Sequence, residues 1–75
     1  MHVDESQINE ARRALGIRIR NARIDADLTQ EGLFLEAGIP RSTYQNIERG
    51  DTDVRFGQLF RIAAVLRVPV RDLLP

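Results

Sequence analysis

Two glycines, Gly38 and Gly50, constrain this chain most, because each follows a short stretch of apolar residues at helical spacing. Glycine readily takes the left-handed conformation that ends many helices. Thr29 is a good N-cap before the first stretch, and Pro40 can open a second helix but cannot lie inside one. These four residues predict two short helices joined by a tight turn. The predicted helices span Gln30–Ala37 and Arg41–Arg49.

The segment between these signals, TQEGLFLEAGIPRSTYQNIERG, separates apolar from polar side chains. The apolar residues expected on the inner faces are Leu33, Ala37, Ile39, Tyr44 and Ile47. Two helices joined in this way form the unit that places its second helix in the DNA major groove. We therefore interpret the outward polar side chains of the second helix as candidates for base contacts. They are Arg41, Ser42, Gln45 and Asn46.

The residues before this segment predict one long helix. Apolar side chains recur every three or four positions within residues 7–26. Gly16 disfavours a helix interior by about 1 kcal/mol relative to alanine, so the part before it is predicted to be a separate turn or a loose arm. We expect residues 1–6 to be disordered. The chain is thus divided into an N-terminal extension, residues 1–14, partly disordered or helical, and a domain, residues 15–75.

The C-terminal third completes an all-α prediction. Apolar residues at helical spacing predict a helix from Phe56 to Leu66, in which Phe56 and Phe60 are assigned to the core together with Tyr44. The sequence VPV is predicted to open a last short helix that ends at Leu74. No segment shows the alternation typical of a strand. The predicted fold is one compact body of five helices.

Composition narrows the classes of function. A chain of 75 residues holds one domain, near the lower limit for a core without disulfides or metals, and a partner subunit would stabilise it. There is no cysteine, and His2 is the only histidine, so we expect no metal site, no cofactor and no catalytic constellation. No apolar run approaches the roughly 20 residues of a membrane span. We expect a cytoplasmic protein that is not an enzyme.

Charge is balanced overall but unevenly distributed. The 11 basic residues, all of them arginine, equal the 11 acidic residues, whereas a DNA-binding domain is usually basic. The segments from Arg12 to Arg23 and from Arg61 to Arg71 are basic, and the segment from Asp25 to Glu36 is acidic. A localised basic face is therefore compatible with the zero net charge.

From about Leu15 to Leu74 the chain resembles the Cro and lambda-repressor type of helix-turn-helix domain, the xenobiotic-response-element family. Four stretches carry the resemblance: IRIRNAR, LTQEGL, AGIPRSTYQNIERG and LFRIAAVLRVPVRDLL. It implies a lambda-repressor-like fold and a sequence-specific transcriptional regulator that binds a palindromic DNA operator as a homodimer. Phage repressors, antitoxins and restriction-modification controllers are all compact relatives of this kind, and the sequence does not choose among them.

The resemblance also implies roles for individual residues. Arg41, Ser42 and Asn46 fall at base-contacting positions, with Gln45 adjacent, and Arg23 and Glu48 fall where an ion pair often links the first helix to the third. Expected phosphate contacts are Gln30, Thr43, Arg49, Thr52 and Arg55, although Thr43 could equally cap its own helix. Dimer contacts are expected from Val68, Val70, Leu73 and Leu74, or from the N-terminal extension through Ile8 and Ala11.

Three departures from the family pattern favour an alternative function. Asp51 and Asp53 place negative charge in a turn that is usually basic, so the turn either binds DNA weakly, faces away or caps the next helix. Phe34 stands where the family normally has alanine, which leaves the crossing of the second and third helices open. With the zero net charge, these residues favour a protein-interaction module that binds a protein partner rather than DNA.

Overall fold

Residues 2–75 are described by a computed structural model, and the helices in that range begin and end at local signals. The four α-helices are α1 (Glu5–Asp25), α2 (Gln30–Ala37), α3 (Arg41–Arg49) and α4 (Phe56–Leu66). A 3₁₀ turn over Val70–Asp72 follows them, and residues 2–75 contain no strand. The all-α prediction and the bounds of α2, α3 and α4 are confirmed.

The prediction of a fifth helix is wrong. Pro69 has extended backbone angles, φ −69° and ψ 149°, and directly precedes the 3₁₀ turn. The turn closes through bonds between residues three apart: the Leu73 N–H donates to the Val70 carbonyl over 2.9 Å. Three residues between a proline and a buried leucine are too few for an α-helical turn, so the chain ends in a tighter turn.

The first helix begins earlier than the sequence predicted, because its start is capped. The Gln7 N–H donates to Asp4 Oδ1 over 3.0 Å, and the Asp4 N–H donates to Gln7 Oε1 over 2.9 Å. This reciprocal pair is a capping box. Glu5 and Ser6, which we expected to be disordered, therefore lie in the first turn of α1, while Met1 lies outside the described residues.

A single continuous helix runs through Gly16, so the predicted break there is wrong. Gly16 is buried where α1 packs against α3. The proposed division of the chain between residues 14 and 15 consequently falls inside α1.

The core lies between α1, α3 and the pair formed by α2 and α4. All five residues predicted on the inner faces of the two short helices are buried. The buried apolar set is Ile19, Leu33, Phe34, Ala37, Ile39, Tyr44, Ile47, Leu59, Ile62, Ala63, Leu66 and Leu73.

The assignment of two phenylalanines to the core is wrong. Phe56 is 71% exposed and Phe60 is 58% exposed. The buried side of α4 is already filled by Leu59, Ile62, Ala63 and Leu66, and helical geometry places both rings beside that stripe.

Residues 2–75 lack a membrane-spanning helix and a cluster of metal ligands. Among them, no helix has the length and apolar character needed to cross a membrane. The same residues bring together no group of three or more His, Asp or Glu side chains that could hold a metal ion.

Candidate nucleic-acid interface

The residues that indicated the ends of α2 and α3 in the sequence also form those ends in the structure. Thr29 Oγ1 accepts a hydrogen bond from the Gly32 N–H over 2.9 Å, which caps α2. Gly38 ends α2 with φ +69°, and Gly50 ends α3 with φ +79°. Both values lie in the left-handed region that favours glycine. The turn between the helices thus sets the direction in which α3 leaves α2.

The outward face of α3 is polar over its whole length. Tyr44, Ile47 and Glu48 are buried, and the opposite side carries side chains at spacings of three and four residues. Ser42 and Arg49 on this side are exposed, and Gln45 and Asn46 are half-buried. Three predicted base contacts therefore share one face with Arg49, a predicted phosphate contact. The outward set is Ser42, Gln45, Asn46 and Arg49.

Arg41, the fourth predicted base contact, stands at the start of α3 and contacts α2. Its Nη2 lies 2.9 Å from Glu31 Oε2. Its guanidinium carbon lies 5.1 Å from the centroid of the Phe34 ring, within the range of a cation–π contact. The arginine is therefore held by a carboxylate and by an aromatic ring, both of which belong to α2.

Arg49 joins the end of α3 to the following turn. Its Nε donates to Asp51 Oδ2 over 3.0 Å, and its Nη2 donates to Asn46 Oδ1. The carbonyl oxygen of Asn46 is thus engaged within the protein, while its amide N–H groups point to no protein acceptor within residues 2–75. An amide oxygen can accept two hydrogen bonds, so Asn46 Oδ1 can accept from adenine N6 while it also accepts from Arg49.

A buried carboxylate fixes the rear of α3 to the rest of the domain. Arg23 donates to the two carboxylate oxygens of Glu48 through Nε and Nη2, and both distances are 3.0 Å. Arg23 and Glu48 therefore form a bidentate ion pair. Glu48 also accepts hydrogen bonds from the Tyr44 hydroxyl and from Gln30 Nε2, the latter at 3.1 Å. Arg23 Nη1 donates to the Leu28 carbonyl over 2.8 Å. This cluster links α1, α2 and α3 behind the outward face.

The protonation states of the Glu48 cluster follow from burial and hydrogen bonding. Burial tends to raise the pKa of Glu48, but the bonds from Arg23, Tyr44 and Gln30 outweigh it and leave this pKa below its ordinary value. The bond to Glu48 raises the pKa of Arg23, and burial together with that bond raises the pKa of Tyr44. The cluster therefore holds a charged pair and a neutral phenol.

The remaining predicted phosphate contacts belong to α2, α3 and the turn before α4. Gln30 uses one amide N–H for Glu48, which leaves the second N–H of the same nitrogen for another acceptor. Thr43 and Thr52 are half-buried, and Arg55 is exposed at the N-terminus of α4. The side chain that caps α4 is Gln58, whose Oε1 accepts from the Arg55 N–H over 3.1 Å.

The two unexpected aspartates of the turn are each bound by an arginine. Asp51 is paired with Arg49, and Asp53 Oδ1 accepts from Arg12 Nε over 2.8 Å. The pKa of Arg12 is raised, mainly by this hydrogen bond to Asp53. Neither aspartate caps α4, so that interpretation is wrong. Their negative charges are partly neutralised by side chains that lie beside them.

The predicted dimer residues do not form one exposed patch. Leu73 is 1% exposed and belongs to the core, so it cannot serve as a surface contact in this structure. Val68 and Val70 are half-buried, and Leu74 is 48% exposed. Leu74 lines an apolar groove of about 400 Å³ together with Ile8 and Ala11, which brings parts of both predicted dimer regions onto one surface.

Sequence reasoning missed Glu31 and misjudged Phe34. Glu31 and Phe34 are three residues apart on α2, a spacing that places side chains on one side of a helix. Phe34 is 4% exposed and packs against Tyr44 with ring centroids 6.2 Å apart, so the bulky ring is accommodated between α2 and α3. The sequence signal for this contact was the spacing of Glu31 and Phe34 on α2, followed by Arg41 at the start of the next helix.

Comparisons with known proteins agree with this geometry. The family model described as Helix-turn-helix matches residues 19–73. No curated protein sequence matches the chain. The restriction-modification controller protein C.AhdI from Aeromonas hydrophila is 31% identical to it, with a TM-score of 0.80 over 83% of this chain and 94% of that protein.

Two further solved structures are similar to the chain. The clp gene regulator ClgR from Corynebacterium glutamicum is 27% identical, with a TM-score of 0.81 over 84% of this chain and 67% of that protein. The hypothetical transcription factor NHTF from Neisseria is 26% identical, with a TM-score of 0.81 over 91% of this chain and 78% of that protein.

Proposed function

Because this chain belongs to the Helix-turn-helix family, of the Cro/C1 type, we propose that it is a transcriptional regulator that binds a palindromic DNA operator as a homodimer. DNA binding and regulation of transcription follow from the family and from its structural neighbours. We propose the operator symmetry, the dimer and the contacting residues from the outward face of α3 and the exposed apolar surface of the domain.

The observation that carries the proposal is the polar outward face of α3. Its side chains include a hydroxyl and two amides, which are groups that read base edges in the major groove, and a guanidinium that can bind phosphate. The opposite side of α3 is fixed, because Glu48 accepts two hydrogen bonds from Arg23 of α1 and one from Gln30 of α2. A helix held in this way presents its side chains in a fixed register.

We assign base contacts to Arg41, Ser42, Gln45 and Asn46. Arginine can bind guanine O6 and N7 together, and the two amides can do the same for adenine N6 and N7. Phosphate contacts are assigned to Gln30, Thr43, Arg49, Thr52 and Arg55. Gln30 stands at the start of α2, where backbone N–H groups and the helix dipole favour an anion.

The proposed dimer surface consists of two exposed rings of α4 and an apolar groove that another residue of α4 helps to line. Phe56 and Phe60 have ring centroids 6.2 Å apart and are both more than half exposed. Leu59 of the same helix lines the apolar groove that contains Ile8 and Leu74. A second copy related by a two-fold axis would cover both features with the same surface of its own. Val68 and Val70 are half-buried and do not line this groove, so we propose them only as additional contacts.

The alternative, a module that binds a protein partner instead of DNA, loses part of its support. Its main arguments were Phe34 and the two aspartates of the turn. Phe34 is accommodated in the core, and Asp51 and Asp53 are each paired with an arginine. The zero net charge remains in its favour.

The test is selection of bound fragments from random duplex DNA, followed by a salt titration on the selected sequence. A regulator of this kind enriches an inverted repeat whose half-sites lie about one helical turn apart, roughly 34 Å. Its affinity for the repeat falls steeply with salt, because phosphate contacts release counterions. Failure to enrich any sequence, or binding that does not change with salt, would support the interaction module.

We also propose that the protein is cytoplasmic, because a regulator of transcription must reach the DNA that it binds.

A further inference from the structure

Arg41 is the only proposed base contact that is held by a carboxylate and an aromatic ring within residues 2–75. Glu31 Oε2 lies 2.9 Å from Arg41 Nη2, and the Phe34 ring lies 5.1 Å from its guanidinium carbon. Both partners project from the same side of α2. Each contact therefore fixes Arg41, at the start of α3, relative to α2.

We propose that Glu31 and Phe34 are positioning residues that orient Arg41 toward guanine and restrain it from binding phosphate. This inference rests on the proposed function, since it concerns how the same interface selects its DNA sequence. Glu31 and Phe34 themselves touch no base in this scheme.

The geometry leaves Arg41 with enough donors to read a base. A guanidinium carries five N–H groups, and the contact with Glu31 occupies Nη2 while the contact with the ring occupies none. Two N–H groups on another edge remain for guanine O6 and N7. An arginine whose orientation is already restricted also loses less conformational freedom when it binds.

The negative charge of Glu31 makes Arg41 favour guanine over phosphate. A phosphate oxygen carries a full negative charge, whereas guanine O6 and N7 are neutral acceptors. A carboxylate at 2.9 Å from the guanidinium therefore opposes a phosphate contact more strongly than a guanine contact. Selectivity rises, although the total attraction to DNA falls.

Phe34 supplies the rigid part of the arrangement. Its ring is 4% exposed and packs against Tyr44, so it cannot move away from the arginine as a surface side chain could. The Arg41 and Glu31 side chains are 61% and 60% exposed, and an ion pair this exposed contributes little to folding. The pair is therefore expected to affect binding without affecting stability.

The experiment compares Glu31→Gln with Glu36→Gln, a matched control that removes the same charge from an exposed position of the same helix. Each protein is titrated with the selected operator, with the operator whose Arg41-dependent guanine is replaced, and with an unrelated duplex. Glu31→Gln is expected to tighten binding to the unrelated duplex and to reduce guanine discrimination by about fivefold. Glu36→Gln is expected to tighten binding to all three duplexes equally.

An Arg41→Ala background and a conservative ring variant complete the test. In Arg41→Ala, the Glu31→Gln change should leave discrimination unaltered, because the group it positions is gone. Phe34→Leu, which keeps an apolar side chain but removes the ring face, should lower discrimination in the same direction as Glu31→Gln. Circular dichroism checks that each variant remains folded.

The outcomes separate this inference from the proposed function. If the wild-type protein binds no duplex specifically, the regulator proposal and this inference both fail. If specific binding depends on Arg41 but Glu31→Gln leaves discrimination unchanged, the proposed function stands and the positioning role is overturned. An equal effect of Glu31→Gln with and without Arg41 overturns it as well.

Discussion

Gly16 of α1 lies directly against the backbone of Glu48 in α3: a Cβ atom at position 16 would be 2.4 Å from the Glu48 carbonyl oxygen. Arg23, two helical turns further along α1, binds the side chain of the same Glu48. The first helix thus contacts one residue of α3 through both its backbone and its carboxylate. This double contact sets the distance and the orientation of α3 relative to α1.

Gly16→Ala is expected to destabilise the protein by about 1 to 3 kcal/mol, as overpacking does in a filled core. Alanine favours a helix interior by about 1 kcal/mol relative to glycine, so propensity alone predicts the opposite sign. The backbone of α3 cannot yield as a flexible side chain could. Urea unfolding followed by circular dichroism measures the change in the free energy of unfolding.

Gly57→Ala is the matched control for this substitution. A Cβ atom at Gly57, in the first turn of α4, would meet no heavy atom within 4 Å. The free energy of unfolding should stay the same or rise by up to about 1 kcal/mol. If Gly16→Ala proves as stable as Gly57→Ala, then α1 and α3 do not approach as closely as described.

Glu48→Ala is expected to lower the free energy of unfolding by about 3 kcal/mol, because it leaves the charge of Arg23 largely buried without its partner. The Arg23 side chain is only 12% exposed, and the Tyr44 hydroxyl would lose its acceptor too. Thermal and urea unfolding measure the loss. Asp51→Ala breaks an exposed pair with Arg49 and should cost under about 1 kcal/mol. Equal losses in the two variants would argue against a special role for the buried pair.

Stability should fall in acid because of Glu48. Its pKa lies below the ordinary 4.5 in the folded protein, as the hydrogen bonds from its partners outweigh the effect of burial. A group with a lowered folded pKa stabilises the protein fully above its unfolded pKa and loses that contribution as pH falls through the folded value. The wild-type protein should therefore lose more stability below about pH 4.5 than Glu48→Gln does. Parallel pH profiles of the two proteins would contradict this assignment.

Helix bounds could be predicted from the sequence because they depend on neighbouring residues. Thr29 caps α2 through its own hydroxyl, and Gly38 and Gly50 end α2 and α3 by adopting positive φ. None of these interactions needs a distant part of the chain. The sequence therefore predicted the bounds of α2 and the approximate bounds of α3. The capping box of Asp4 and Gln7 is equally local, and it was simply not recognised.

Apart from the Arg23–Glu48 pair, which the family resemblance implied, relations between elements could not be predicted in the same way. Gly16 weakens an isolated helix, and only the presence of α3 makes a glycine necessary there. Phe56 and Phe60 have helical spacing, but exposure depends on which side of α4 the other helices cover. The partners of Arg41 come from α2 across the turn. In each case the deciding contact joins residues whose closeness the apolar pattern does not reveal.

Phe60→Glu is expected to convert the proposed dimer into a monomer. A charge in the middle of a covered apolar surface opposes association, and the ring is already 58% exposed, so folding should be preserved. Sedimentation equilibrium measures the association constant, and operator binding should weaken with it. Leu35→Glu places the same charge at another exposed apolar residue, on α2, and should leave association unchanged. Dimers that persist in Phe60→Glu would move the interface elsewhere.

Arg41→Ala and Arg49→Ala should weaken DNA binding in different ways. Arg41 is assigned to a base, so its loss should relax the preference at one position of each half-site and cost about 1 to 3 kcal/mol. Arg49 is assigned to phosphate, so its loss should weaken binding to all sequences alike and lower the salt slope by about 1. Both side chains are about 60% exposed, hence neither variant should unfold. Fragment selection and salt titration of the two variants compare these effects directly. An unchanged sequence preference in Arg41→Ala would refute its reading role, because no other property of that variant could hide the loss of a specific base contact.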